Sequence, residues 1–205
     1  MQGYILHVRK ARGEDCVVTL LTSNKVETLY RFYGARHPVI TAGYKIDFEK
    51  HADNHRFLPR LRHVLHLGFP WLKSPERLQV WQQFVTLLYE HLKGVEEPGA
   101  FYYEMLENAA RRWHLQNPKR SAVEAYLALL AHEGRLHPPH DCFVCGRPLE
   151  KELTLARAYL PAHPGCVIGS ALAVETVNTL FESGSTLYLD DRYVETLWLT
   201  LLEGM

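Results

Sequence analysis

Apolar positions in the first 70 residues come in short runs separated by polar turns. Tyr4-Ile5-Leu6-His7-Val8 stops at Arg9-Lys10-Ala11-Arg12-Gly13, and the β-branched run Cys16-Val17-Val18-Thr19-Leu20-Leu21 stops at Thr22-Ser23-Asn24-Lys25. Val26 to Tyr33 is again β-rich and ends at Gly34. Tyr44-Lys45-Ile46-Asp47-Phe48-Glu49 alternates polar and apolar strictly, as a strand with one wet face does. Arg62-His63-Val64-Leu65-His66-Leu67 completes five predicted strands. Five short strands without a long helical pattern between them predict a small closed barrel of the OB or SH3 type.

After residue 73 the period changes. Ser74-Pro75-Glu76 combines an N-cap residue, a proline at the first helical position and an acid in the first turn. Leu78, Trp81, Val85, Leu88 and Leu92 follow at spacings of three or four, and Gly94 closes the run. A second helix is predicted over Phe101 to Gln116, ending before Asn117-Pro118. Ser121-Ala122-Val123-Glu124 reads as a capping box that opens a third helix running to Gly134. Helices opening at Ser170 and Asp190 complete the pattern, to about Glu182 and Glu203. The predicted fold is α+β: a small N-terminal β-barrel over 1–73, then an all-α helical domain over 74–205 carrying an insertion at about 135–169.

Composition and charge refine this picture. The chain has 205 residues, 47% hydrophobic and 22% charged, ordinary for a globular protein. It has no stretch of 18 apolar residues, so no membrane span is expected. Its first residues lack the apolar run of a signal peptide, which points to the cytosol, where clustered cysteines favour metal or redox roles over structural disulfides. Net charge is +0, but it is unevenly divided. Residues 1–75 hold twelve Lys and Arg against six acids, a balance of +6, and the remainder carries −6. A basic unit attracts phosphate backbones; an acidic one suits protein partners better.

The sharpest motif lies in the insertion. Cys142-Phe143-Val144-Cys145-Gly146 is followed, after seventeen residues counted from Gly146 to Ala162, by His163-Pro164-Gly165-Cys166. Each pair has two residues between its ligands, so a tight turn presents both side chains to one ion. Gly146 and Gly165 are expected to let the backbone bend at the two turns. Two such knuckles supply the four ligands that structural Zn²⁺ takes. Leu153 to Leu160 predicts one or two short strands that bring the knuckles together. His163 has the best spacing for the fourth ligand, with His140 and His137 as alternatives upstream. A redox C-x-x-C normally sits early in a βαβ pattern, which is absent here. A catalytic zinc keeps an open position that four protein ligands do not leave. Phosphate-loop, dinucleotide and hydrolase-elbow motifs are also absent, so no catalytic residues are expected. Cys16, in a strand, reads as a core thiol.

Basic and aromatic residues interleave at Leu29-Tyr30-Arg31-Phe32-Tyr33-Gly34-Ala35-Arg36-His37. Single-stranded nucleic acid sites combine cations that track phosphates with rings that stack on bases. Strand alternation would place Arg31 and Tyr33 on one face and Tyr30 and Phe32 on the other, leaving at most one set exposed. Arg9, Lys10, Arg12, Lys25, Arg31 and Arg36 are the expected DNA-binding cations. Arg111 and Arg112 beside Trp113 are the expected protein-docking group.

Gly3-Tyr4-Ile5-Leu6, Arg9, Glu14-Asp15, Leu20-Leu21-Thr22, Lys25 and Gly34-Ala35-Arg36, followed by Cys142-x2-Cys145, resemble the bacterial recombination mediator family RecO. The second knuckle departs from that family in reading His163-x2-Cys166 rather than two cysteines. The resemblance implies an OB barrel, a helical domain with an inserted zinc knuckle, and a function without turnover. It implies binding of single- and double-stranded DNA, strand annealing, and action with RecR to load recombinase onto strands coated by single-strand-binding protein. That protein's acidic C-terminal tail is an implied ligand, and the nucleoid an implied location. The alternative is an RNA-binding OB- or SH3-like protein with a zinc knuckle.

Overall fold

In the computed structural model, which describes residues 1–52 and 57–205, five strands close into a barrel. They are β1 (Gln2–Lys10), β2 (Cys16–Leu21), β3 (Val26–Arg31), β4 (Lys45–His51) and β5 (Arg60–His66). Two residues counted in the charge balance, Asp53 and Arg56, lie outside the described residues. The order around the barrel is β1-β2-β3-β5-β4, antiparallel except where Tyr30 meets Arg60 between β3 and β5. This order makes the barrel an OB fold, the distinction that hydrophobic period alone leaves open. Register shifts in β1 between Ile5 and His7, and in β4 between Asp47 and Glu49, add the local twist that closure needs.

Ile5, Val18, Leu20, Leu29, Ile46, Phe48 and Leu61 fill the interior, with Cys16 among them as a buried thiol. Inward and outward residues should alternate in burial, yet Tyr4, Ile5 and Leu6 are all buried, and so is every residue of β2. Helices α1 (Pro75–His91) and α2 (Phe101–Arg112) explain part of this by covering the outer face of β1. Tyr4 packs its ring against Trp81 and Tyr103 and donates its hydroxyl to Glu107 across 2.7 Å. Trp71, Trp81, Phe84 and Trp113 pack together beside them. Each fully buried large side chain of this kind contributes roughly 1.5–3 kcal/mol.

The barrel and these two helices form one unit, Met1–His114, and Leu115–Met205 form another. The division therefore falls well beyond the strand-to-helix change at residue 73. That change marks where the backbone period switches, whereas α1 and α2 bury their apolar stripes on the barrel.

The second unit contains α3 (Pro118–His132), a three-stranded sheet of order β7-β6-β8, α4 (Val174–Ser183) and α5 (Asp191–Leu202). Its strands are β6 (Glu152–Ala156), β7 (Leu160–Ala162) and β8 (Leu172–Ala173). Helix α3 begins earlier than the Ser121 capping box predicts. Asn117 caps it by accepting from the Lys119 N–H at 3.0 Å, with Pro118 next in line. Ser121 is buried inside the helix, and Glu124 accepts instead from the backbone N–H and hydroxyl of Thr186, at 3.0 and 2.8 Å. Asp190 caps α5 through the Tyr193 N–H at 2.8 Å, as its position predicts. Among the described residues, no helix is long and apolar enough to cross a membrane.

Candidate metal centre and nucleic-acid interface

The insertion folds as two knuckles held by the small sheet. In the first, the Cys142 N–H donates to Arg147 at 2.9 Å, the Gly146 N–H donates back to Cys142 at 2.8 Å, and Asp141 bridges Pro148. Gly146 sits at φ +67, where a side chain would be strained. Strand β7 then delivers the second knuckle: it ends at Ala162, next to His163, and the Phe143 N–H donates to Pro161 on this strand at 3.0 Å. The Cys166 N–H closes the second turn on the His163 carbonyl at 2.8 Å. Gly165 does not supply the special backbone conformation its position suggests, because its φ is not positive.

The ligand atoms of Cys142, Cys145, His163 and Cys166 all lie within 4.8 Å of one another. Tetrahedral zinc, with bonds of about 2.3 Å to sulfur and about 2.0 Å to nitrogen, needs donors spaced on this scale. Nδ1 of His163 lies 3.4 Å from the Cys145 sulfur, while its Nε2 lies 3.1 Å from the Pro148 carbonyl. A carbonyl on the far nitrogen is the outer partner that orients a ligating imidazole and sets its tautomer. His137 and His140, the upstream alternatives, are not in this cluster.

The electrostatics suit a cation. Burial opposes charge on Cys142, yet N–H groups of Cys145, His163 and Val144 directed at its sulfur hold the thiol down to about 6. Arg147, by side chain and backbone, lowers Cys145. Cys166 is pushed up by burial and by the two neighbouring thiols, and hydrogen bonds to Cys142 and Cys145 raise His163. Three sulfurs and one imidazole select a thiophilic ion such as zinc over magnesium or calcium. Four protein ligands leave no position for a reacting water, so the ion would be structural.

In the barrel, the register sorts the six expected DNA-binding cations. Lys10 pairs with Cys16, which pairs with Arg31; Arg9, Val17 and Tyr30 form the next rung. Arg9, Lys10, Arg12 and Arg36 are exposed and belong to the end of β1, the β1–β2 loop and the turn after β3. Arg31 is only half-exposed; its Nη1 donates to the Leu61 carbonyl on β5 at 3.0 Å. Lys25 lies at the opposite end of the strands, in the β2–β3 hairpin, and pairs with Glu97 at 2.7 Å. Four of the six thus gather at one end of the barrel.

That end also carries rings. Regular strand structure stops at Arg31, so the alternation expected through Tyr33 does not hold. Tyr33 adopts a left-handed conformation, φ 53 and ψ 26, which re-aims the chain. Phe32 and Tyr33 are therefore both exposed, at 47% and 60%. Sequence reading misses Arg60, whose guanidinium lies 5.2 Å from the centre of the Phe32 ring. Strand β5 starts at Arg60, ahead of the Arg62 start that its hydrophobic pattern predicts.

The expected protein-docking group divides. Arg111 and Arg112 are exposed, and Arg111 lies 3.6 Å from Glu107. Trp113 is fully buried among Trp71, Trp81 and Phe84, and its indole N–H donates to the Arg77 carbonyl at 3.1 Å. It is a core residue, not a docking ring: an apolar side chain at a helix end is drawn under whatever apolar surface lies nearest.

The fold and site define a class: an OB-barrel protein with a second compact unit that carries a Cys3His cluster. Residues 1–72 match the family model described as RecO N terminal, so the barrel is similar to the RecO N-terminal domain. This match supports a RecO-type role in DNA recombination and repair. No curated protein matches the chain.

Proposed function

We propose that this chain is a non-enzymatic mediator of DNA recombination and repair. It binds single- and double-stranded DNA through the OB barrel and anneals complementary strands. With RecR, it helps load recombinase onto strands coated by single-strand-binding protein at the nucleoid. The observation that carries this reading is the gathering of Arg9, Lys10, Arg12 and Arg36 at one end of a barrel that matches the RecO N-terminal family. OB barrels bind oligonucleotides over strands β2 and β3 and the adjoining β1–β2 and β4–β5 loops. Annealing requires neutralised phosphates and bases left free to pair, and no reacting side chain.

The knuckle, with zinc held by Cys142, Cys145, His163 and Cys166, ties together the two turns of the insertion. Arg111 and Arg112 remain the proposed contacts for the acidic tail of single-strand-binding protein, without Trp113. The test is an annealing assay with complementary oligonucleotides, alongside competition between single-stranded DNA and RNA of equal length. Accelerated annealing and a preference for DNA are expected. No acceleration would overturn the mediator reading, and preference for RNA would turn it toward an RNA-binding protein.

A further inference from the structure

Phe32 and Tyr33 stand out as two adjacent exposed rings in a turn that is otherwise tightly held. The Tyr33 N–H donates to Asp15 Oδ1 at 2.8 Å, and the Tyr30 hydroxyl donates to Asp15 Oδ2 at 2.6 Å. One carboxylate of the β1–β2 loop thus clamps both the strand end and the turn beyond it. The neighbouring Glu14 ties the same turn twice, accepting the Ala35 N–H on its carbonyl at 2.9 Å and pairing its side chain with Arg36. Gly34 seats the turn on the barrel, with space for no side chain: a Cβ would lie 2.9 Å from that of Cys16.

The rings this scaffold holds out are framed by cations. Arg60 lies over Phe32 at 5.2 Å, and Arg36 over Tyr33 at 5.8 Å. The Tyr30 ring props Phe32 edge-on, with centroids 5.1 Å apart. Apolar rings left exposed normally gain by burial. Here a left-handed tyrosine and a clamped loop keep them outward, beside exposed Arg9, Lys10 and Arg12.

We propose that Phe32 and Tyr33 form a base-stacking platform for single-stranded DNA, with Asp15 as the positioning residue that holds it open. This rests on the DNA-binding reading above and adds what distinguishes one strand from two. Bases in a duplex are already stacked and cannot reach the rings, whereas an unpaired strand can lay successive bases on them. The cations take phosphates of either form; the rings take only unpaired bases.

The experiment uses the full chain, a fluorescein-labelled oligo-dT and a blunt duplex of equal length, titrated across salt concentrations. Phe32→Ala/Tyr33→Ala should lower affinity for oligo-dT about 30-fold or more. It should leave duplex affinity and the salt dependence of binding unchanged, because stacking releases no counterions. Phe32→Trp/Tyr33→Trp should retain binding. Asp15→Ala removes a negative charge, so simple electrostatics predicts tighter binding; the platform predicts weaker oligo-dT binding. Equal loss on both DNA forms, or no loss on oligo-dT, would overturn the platform while leaving DNA binding intact. Tighter binding by Asp15→Ala would overturn the positioning role. Failure of the wild-type chain to bind either DNA would overturn both the platform and the DNA-binding reading.

Discussion

The indole N–H of Trp81 donates to the Gly43 carbonyl across 2.7 Å, and Gly43 can hold that position only because it lacks a side chain. Its φ is +89, and a Cβ there would lie 2.8 Å from the Trp81 ring. Gly43→Ala is expected to destabilise the barrel–helix unit by about 2–5 kcal/mol, combining left-handed strain with overpacking. Urea unfolding of the full chain measures this; a loss below about 1 kcal/mol would show that the backbone and ring move apart easily.

Trp113 provides a second stability test. Trp113→Ala should cost about 3–5 kcal/mol, as for other fully buried aromatics. Arg111→Glu/Arg112→Glu should leave unfolding nearly unchanged and weaken binding of an acidic tail peptide. Unchanged peptide binding by the double variant would remove this surface from consideration.

For the metal, purified protein is expected to hold one zinc per chain by elemental analysis. Cys142→Ser should abolish it and lower the melting temperature. Stabilisation by zinc should reach on the order of 3 kcal/mol at a free concentration 100 times Kd. His140→Ala should retain the ion, since His140 lies outside the cluster. Retention of zinc by Cys142→Ser would reject the assigned ligand set.

The cations at the barrel end should separate by position. Neutralising Arg9, Arg12 and Arg36 together should weaken DNA binding and flatten the salt slope by about 0.7 for each single-strand phosphate that is no longer neutralised. Lys25→Ala should have a smaller effect, because Lys25 lies at the other end of the strands, in the β2–β3 hairpin. Salt titrations in which Lys25→Ala equals the triple variant would place the DNA elsewhere.

Asp15 gives the turn after β3 a dependence on pH. Hydrogen bonds from Tyr30 and then from the Tyr33 backbone favour its charged form and lower its pKa. A depressed folded value means its contribution is complete above the ordinary carboxylate pKa and is lost as pH falls through the folded one. The Tyr33 amide resonance should therefore stay constant from neutral pH to about pH 4 and shift only in stronger acid. Movement of that resonance near pH 6 would point to another group.

Much of this protein is legible one residue at a time. The five strands, the helix start at Pro75, the Asp190 cap and the paired knuckles depend on backbone preferences and spacings over a few residues. Those are local properties, and the sequence carries them. The β-branched run of β2 is legible as a strand, but its burial on both faces appears only in the fold. What the sequence does not carry is the identity of the cover.

Only the tertiary structure decided that α1 and α2 belong with the barrel, that Trp113 is core, and that His163 rather than His140 completes the knuckle. It also decided that Phe32 and Tyr33 both face outward, because a carboxylate 18 residues from Tyr33 in sequence holds the turn there. Burial and convergence depend on groups brought together across the chain. A local pattern can state that a side chain needs a partner, but only the closed fold chooses which one it meets.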